Sequence, residues 1–260
     1  MSAPYTVLVT GVAHGIGRAI ADRLVADGHA VLGLDIEPAP PPGLAGFECV
    51  DITDAAAARR TLERLAGAHR ITRLVNNVGS SRREWMHEAT GETQRWLDRL
   101  NLGSALLCLQ AVLPGMREAG GGRVVNITSR AVYGRETRSA YAATKAALAS
   151  LTRSWARELA PDNIAVNAVG PGMIDTELFR RNNPPDKPDV IRLREGVPMR
   201  RLGLPEEVAQ AVAFFLEERT GYVTGQMIFV CGGLSLGALP PAGNNPPAPE
   251  QGRARSGRGD

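Results

Sequence analysis

The feature that most constrains this chain is its alternation. Short β-branched runs take turns with stretches of helical period. "YTVLVT" reads as a strand, "GIGRAIADRLVADG" as a helix with a glycine stop, and "AVLGLD" as a second strand. After the stiff loop "PAPPPG" come the strand "FECVD", the helix "DAAAARRTLERLAGA" and the strand "RLVNNVG". One long amphipathic helix is expected over "TGETQRWLDRLNLGSALLCLQAVLPGMREAGGG". The strand "RVVNITS", the helix "AYAATKAALASLTRSWARELA", the strand "NIAVNAVGPG", the helix "PEEVAQAVAFFLEE" and the strand "QMIFVCGG" complete the series. Strands separated by helices argue βαβ units, and right-handed crossovers lay such units into one parallel sheet with helices on both faces. The expected fold class is therefore α/β, a single doubly wound parallel-sheet domain over residues 1–238. From Leu239 on, "LPPAGNNPPAPEQGRARSGRGD" has almost nothing to bury and reads as a disordered tail, 239–260.

Composition narrows the partners. With 260 residues, 43% of them hydrophobic, the chain can bury one large core. A formal charge of +3 is small for that length, and the closing "RARSGRGD" carries part of it, so no nucleic-acid surface is expected. Cys49, Cys108 and Cys231 are far apart and odd in number. They fit no metal spacing and no disulfide framework, and they suggest a reducing compartment. The N-terminus runs straight into a strand, with no signal-peptide pattern. No apolar run approaches the roughly 20 residues needed to span a bilayer. The expectation is a cytoplasmic protein with no metal and no membrane partner.

The first strand and first helix are joined by "TGVAHGIG", which carries Gly11, Gly15 and Gly17. Glycines there let the backbone turn tightly and approach a pyrophosphate at a helix N-terminus, where free N–H groups and the dipole favour an anion. Asp35 ends the second strand, where dinucleotide-binding sheets of the Rossmann type place an acid on the adenosine ribose. A carboxylate at that point repels a 2′-phosphate. Residue 36 is Ile and the loop beyond is proline-rich, so NAD is expected rather than NADP. His14 and Arg18 are the nearby basic residues that would reverse this choice.

Tyr141 and Lys145 stand four apart in "SAYAATKAAL", one turn of a helix and one face. Of thirty basic residues only two are lysines, Lys145 and Lys187. A chain that otherwise uses arginine has kept a lysine beside this tyrosine. A compact ammonium can hold two ligands at once, whereas the planar guanidinium is shaped for carboxylates. A free tyrosine titrates near 10, too high for a base at neutral pH, so a neighbouring cation that lowers it is chemically useful. Upstream, "NITS" presents two hydroxyls, Thr128 and Ser129. Either can donate to a developing oxyanion, and since successive strand residues face opposite ways, only one can aim at the site.

Together these motifs resemble the short-chain dehydrogenase/reductase family, over about residues 5 to 237. "TGVAHGIG" is similar to its cofactor loop, which adds His14 and Ile16 to the glycines. Asp51, with Ile52, falls where the family contacts adenine. "NNVG" resembles the family's Asn-Asn-Ala-Gly strand end and supplies Asn77, Val78 and Gly79. "PGMIDT" resembles the segment whose Pro171, Gly172, Ile174 and Thr176 would face the nicotinamide. The resemblance implies that Ser129, Tyr141 and Lys145 form the reactive set. Lys145 would also hold the nicotinamide ribose, and Asn101 in "RLNLGSAL" would anchor a water relay. Ser129 lies 12 residues before Tyr141 where the family's commonest separation is 13, which Thr128 has. A one-residue shorter loop makes Ser129 the expected donor, with Thr128 as the alternative. Cys231 replaces the Asp of the family's usual Val-Asp-Gly-Gly.

The implied function is NAD-dependent interconversion of a secondary alcohol, or a cyclic dihydrodiol, and a ketone, with Tyr141 as general base or acid. Arg130, Arg135 and Arg138 lie between the serine and the tyrosine, and Arg181 lies in a lid of about 177–203. They are the candidate contacts to a carboxylate-bearing small-molecule substrate. An NADPH-dependent 3-oxoacyl-carrier-protein reductase is the alternative enzyme. A cofactor-sensing regulator without turnover is the alternative of another class. The resemblance also implies a homotetramer or homodimer built on the two long helices.

Overall fold

The computed structural model describes residues 4–183, Ile191 and 194–237. The expected tail, 239–260, and the middle of the expected lid lie outside the described residues. Seven strands form one parallel sheet: β1 Thr6–Thr10, β2 Ala30–Asp35, β3 Gly46–Cys49, β4 Ile71–Asn76, β5 Gly122–Ile127, β6 Ile164–Pro171 and β7 Met227–Val230. Their order is β3-β2-β1-β4-β5-β6-β7. The chain first winds outward from β1 through β2 to β3, then returns and winds the other way from β4. The reversal falls between β1 and β4, and a crevice opens beyond the C-terminal ends of such strands.

The sheet is doubly wound because its strands are apolar on both faces. On β1, Val7 and Val9 join one buried cluster while Leu8, between them, joins the other. Helices α1 (Gly15–Ala26) and, late in the chain, Pro205–Leu216 cover the first face, supplying Ile20, Leu24, Val212 and Phe215. Helices α2 (Ala55–Ala68), α4 (Ser104–Glu118) and α5 (Ser139–Leu159) cover the second, with Leu62, Met116 and Leu148. Asp54 caps α2 by accepting from Ala56 N and Ala57 N. Proline at the first position of Pro205–Leu216 needs no partner for a missing N–H.

The single long helix expected over residues 90–122 is interrupted. α3 (Gly91–Asp98) ends in a π-helical turn, Arg99–Gly103, before α4 continues. A π turn inserts one residue into the ladder and rotates the helix beyond it, and such bulges cluster at functional sites. Asn101 sits in its middle, buried. The short helix Glu177–Asn182 follows β6 and is α6; Pro205–Leu216 is then α7. No helix among the described residues is long and apolar enough to cross a membrane.

Candidate active site

A cleft of about 730 Å³ lies over the C-terminal ends of the strands at the β1/β4 reversal. One end is built from the glycine loop. Gly11 and Gly15 have φ of +74° and +57°, which other residues adopt at a cost. Gly17 is constrained by space instead, since a Cβ there would lie 1.8 Å from the Gly11 carbonyl oxygen. The loop is thus folded down onto the start of α1, leaving backbone where a side chain would block a ligand. Asn77 locks it to β4: its amide donates to the Thr10 and Gly11 carbonyls at 2.9 and 3.1 Å. Thr10 Oγ1 in turn accepts from Asn77 N and Val78 N at 3.0 and 3.1 Å.

Next to this loop the cleft is acidic. Asp35 is held by backbone donors, Ala13 N to Oδ2 at 2.8 Å and Glu37 N to Oδ1 at 3.1 Å. Glu37 and Asp51 also line the cleft. The two basic residues that would welcome a 2′-phosphate are both paired with acids. His14 Nε2 lies 2.7 Å from Glu37 Oε2, and Arg18 Nε lies 2.8 Å from Asp22 Oδ2.

At the other end of the cleft, Ser129, Tyr141 and Lys145 converge. Ser129 follows β5, and its hydroxyl accepts from Ala131 N at 3.0 Å, capping a short 3-10 turn. It also engages the Tyr141 phenol and favours the phenolate. Thr128 donates to the Val169 carbonyl at 3.0 Å and is buried, so its hydroxyl is spent on the β5–β6 seam. The geometry therefore separates the two hydroxyls and gives the tyrosine to Ser129.

Lys145 is 3% exposed, and its ammonium donates to the Ile127 carbonyl at 2.8 Å. Burial lowers its pKa to about 8. Its Nζ stands 6.0 Å from the centre of the Tyr141 ring. The expectation that Lys145 draws the tyrosine down needs correction in this state. Burial raises the Tyr141 pKa, and the opposing pulls come from Ser129, Arg138 and Arg135. The lysine is hydrogen-bonded to a strand end rather than to the phenol.

Asn101 does not line the cleft. Its amide donates to the Ser80 carbonyl at 3.1 Å and to Thr144 Oγ1 at 2.9 Å, and its oxygen accepts from Ser80 N at 3.0 Å. It ties the loop after β4 to α5, one residue from Lys145. A Cβ on Gly79 would lie 3.0 Å from both Asn101 Oδ1 and Lys145 Nζ, so only glycine leaves this junction undisturbed.

Every other residue expected to hold the cofactor lines the cleft: Ile16, Ile52, Val78, Gly79, Pro171, Gly172, Ile174 and Thr176. The arginines divide. Arg135 and Arg138 line it, joined by Arg83. Arg130 does not line it, and Arg181 is exposed on α6 outside the wall. A six-residue helix shows only part of its circumference to the cleft, and Arg181 falls on the solvent side.

Sequence reasoning missed the supports. Asn76 and Asn126 are register partners on β4 and β5, and Asn76 Nδ2 donates to Asn126 Oδ1 at 2.8 Å. Asn126 Nδ2 donates to Thr152 on α5 at 2.9 Å, which fixes the helix carrying Tyr141 against the sheet. The signal was available. Asparagine is depleted in strand interiors, yet it recurs in "LVNN", "VVNI" and "AVNA". Glu37 was also missed, being read only as part of a proline-rich loop.

A glycine-lined cradle over a helix start, an acid at the end of the second strand, and a serine, tyrosine and lysine at the far end of one cleft define a nicotinamide-dinucleotide oxidoreductase of the parallel-sheet type. The chain belongs to the short-chain dehydrogenase/reductase family. A family model described as Enoyl-(Acyl carrier protein) reductase matches residues 11–235. The chain is 34% identical over 241 residues to the 3-oxoacyl-[acyl-carrier-protein] reductase FabG of Thermotoga maritima, covering 88% of this chain and 97% of that one. Among solved structures, a 3-oxoacyl (acyl-carrier-protein) reductase from Agrobacterium tumefaciens C58 with NADP bound superposes with a TM-score of 0.82. Its identity is 32%, over 88% of this chain and 93% of that one. A putative NAD(P)-dependent gluconate 5-dehydrogenase from Beutenbergia cavernae, with NADP bound at low occupancy, gives 0.83 at 30% identity. That match covers 90% of this chain and 98% of the other.

Proposed function

We infer that this chain interconverts a CH–OH group and a ketone, with Tyr141 passing the proton and Ser129 holding the reacting oxygen. The observation that carries this reading is the convergence of Ser129, Tyr141 and Lys145 on one cleft whose other end is a glycine cradle. The residues present fit a nicotinamide dinucleotide, because a side chain at Gly17 would collide with backbone where such a ligand needs open backbone. When bound, that cofactor supplies the hydride donor or acceptor. Ser129 would donate to the substrate oxygen and orient it. Tyr141 would give its proton to that oxygen in reduction, or take it in oxidation. Lys145 would hold a ribose, and Asn101 would act as a positioning residue through Ser80 and Thr144.

For the cofactor, NAD(H) is supported by this chain's own residues: Asp35 lines the glycine-loop end of the cleft, and His14 and Arg18 each already contact an acid. A second reading rests on the relatives. The Thermotoga and Agrobacterium proteins are named 3-oxoacyl-carrier-protein reductases, and the Agrobacterium protein and the Beutenbergia protein were solved with NADP. They support an NADPH-dependent 3-oxoacyl reductase better than they support an NAD-linked dehydrogenase of cyclic dihydrodiols. Assembly through α4 and α5 into a dimer or tetramer is part of the proposal.

The test follows nicotinamide absorbance with NADH and NADPH in turn, against acetoacetyl-CoA and a panel of ketones, in the wild type and in Tyr141→Phe. Loss of at least about 100-fold in the variant, with cofactor binding kept, is the expected outcome for a general acid–base. Unchanged turnover would remove Tyr141 from the chemistry, and absent turnover in the wild type with cofactor still bound would leave the non-catalytic sensor as the better reading. Tighter binding of NADPH than NADH would overturn the argument from Asp35.

A further inference from the structure

The substrate end of the cleft carries a concentration of cation that the reaction itself does not require. Arg83, Arg135 and Arg138 all line it, beside Ser129 and Tyr141. Arg135 and Arg138 are half-buried. The two loops that bear them are stitched together: Glu84 N donates to the Thr137 carbonyl at 2.8 Å, and Glu84 and Arg138 form a parallel bridge. Arg138 Nη1 donates to Ser81 Oγ, which fixes its guanidinium across the cleft wall.

Among the described residues, none of the three arginines makes an ion pair. Of the nearby acids, Glu136 is exposed and Glu177 lines the same cleft, and neither pairs with these arginines among the described residues, while two others are bonded elsewhere. Glu84 accepts from Thr93 Oγ1 at 2.6 Å, and Glu88 accepts from Trp85 N at 2.9 Å. Several arginines elsewhere meet acids, among them Arg18 with Asp22, Arg64 with Glu48, Arg117 with Asp162, Arg180 with Asp175 and Arg201 with Glu207, while the buried Arg73 and Arg123 are met by backbone carbonyls. The cleft arginines instead repel one another. Burial comes first in lowering the Arg135 pKa, followed by repulsion from Arg138, Arg130 and Arg83. Burial and then Arg83 do the same to Arg138. Partly buried like charges without a partner cost stability unless a ligand supplies the counter-charge.

We propose that the substrate carries a carboxylate, held by Arg135 and Arg138 with Arg83 at the rim, so that the enzyme acts on a hydroxy acid or oxo acid. This rests on the reading that Ser129 and Tyr141 mark the reacting end. A planar guanidinium can meet a carboxylate with two parallel N–H donors, and two such groups fix orientation as well as charge. A neutral ester of the same acid would leave the cluster unsatisfied, so discrimination falls between acid and ester rather than between chain lengths.

The experiment uses the full chain with saturating NADH, and a second time with NADPH. Ligand-observed NMR measures binding of cyclohexanecarboxylate, its amide and cyclohexyl phosphate. The same titrations are run on Arg135→Gln, Arg138→Gln and the charge-preserving Arg135→Lys. The expected result is at least a tenfold preference for the carboxylate over the amide, lost in both glutamine variants and partly kept in Arg135→Lys. Melting curves of each variant confirm that it is folded. Equal binding of acid and amide would overturn the proposal, as would a preference that survives both glutamine changes. Tighter binding of the phosphate than of the carboxylate would overturn the carboxylate assignment. Because the readout is binding, it is independent of turnover. A carboxylate preference alongside an active Tyr141→Phe would sink the functional reading alone. No preference alongside an inactive Tyr141→Phe would sink this inference alone.

Discussion

Replacing Lys145 by methionine should stabilise the protein at neutral pH while it disables the site, and the size of the effect should depend on pH in a calculable way. Lys145 is buried, and burial moves its pKa from 10.5 to about 8. In the unfolded chain the lysine stays mostly protonated up to about pH 10. In the folded chain it is charged below about 8 and neutral above. Folding at pH 7 therefore carries the cost of keeping an ammonium out of water. A tenfold shift in affinity for the proton is about 1.4 kcal/mol, so the cost is about 3 kcal/mol at pH 7. As the pH rises through 8 the folded lysine loses its proton while the unfolded one keeps it, and the penalty relaxes. It is about 2 kcal/mol at pH 9 and less than about 1 kcal/mol at pH 10. Methionine fills similar volume without charge, but it leaves the Ile127 carbonyl without its 2.8 Å donor, a loss of about 1–2 kcal/mol. That loss is nearly the same at every pH, because neutral lysine still donates. The difference in stability between variant and wild type should then fall by about 2–3 kcal/mol from pH 7 to pH 10. Urea unfolding of both proteins at several pH values measures it, and other titrating groups cancel because both proteins share them. Tyr141 is common to both proteins, and burial raises its pKa, so it too cancels in the comparison. A difference that is flat from pH 7 to pH 10 would refute the claim that Lys145 is held as a buried cation.

Other outcomes rest on single contacts. Gly17→Ala should abolish dinucleotide binding, measured by calorimetry, and lower stability by at least about 2 kcal/mol, because its Cβ would lie 1.8 Å from a backbone oxygen that cannot move aside. Ser129→Ala should cut kcat about 10²–10³-fold with KM little changed, the signature of an oxyanion donor. Thr128→Val should do the reverse, costing about 1–2 kcal/mol of stability through the lost bond to Val169 and leaving kcat within a few-fold. Equal losses of kcat in both variants would contradict the assignment of the two hydroxyls.

The fold was legible because periodicity and sheet topology are nearly the same information in a chain of this kind. Each of the seven apolar runs became a strand, with ends displaced by up to three residues where "RLVNNVG" and "QMIFVCGG" ran past the observed β4 and β7, and alternation forced the parallel order. What was not legible was the π turn at Arg99–Gly103, since the apolar period continues from Trp96 to Val112 and the single glycine within it, Gly103, does not by itself distinguish a π turn from a plain helix. The same holds for Asn101. Its partners, Ser80 and Thr144, are 21 and 43 residues away, and no local pattern announces a bond between them. The pairing of His14 with Glu37 was hidden for a similar reason, because a 23-residue gap closes only when β1 and β2 lie side by side. Arg130 and Arg135 looked equivalent along the chain. A 3-10 turn over Arg130–Tyr133 and the left-handed residues Gly134 and Thr137 decide which of them faces inward.

Charge is sorted along the cleft, and this separates two questions that the family resemblance runs together. The glycine-loop end is acidic, with Asp35, Glu37 and Asp51, while the wall near Ser129 and Tyr141 is basic, with Arg83, Arg135 and Arg138. Unlike charges that could have met stand at opposite ends of one cavity and are held there by backbone bonds to Ala13 and Glu37 and by Ser81. On the proposed carboxylate reading, an anionic substrate would be drawn to the arginine end and repelled from the other, which would orient it before contact. Relatives can share the serine, tyrosine and lysine and still differ at both ends, because neither end takes part in moving the proton. Cofactor choice and substrate class are therefore properties of side chains such as Glu37 and Arg138, and they have to be read from this chain's own residues.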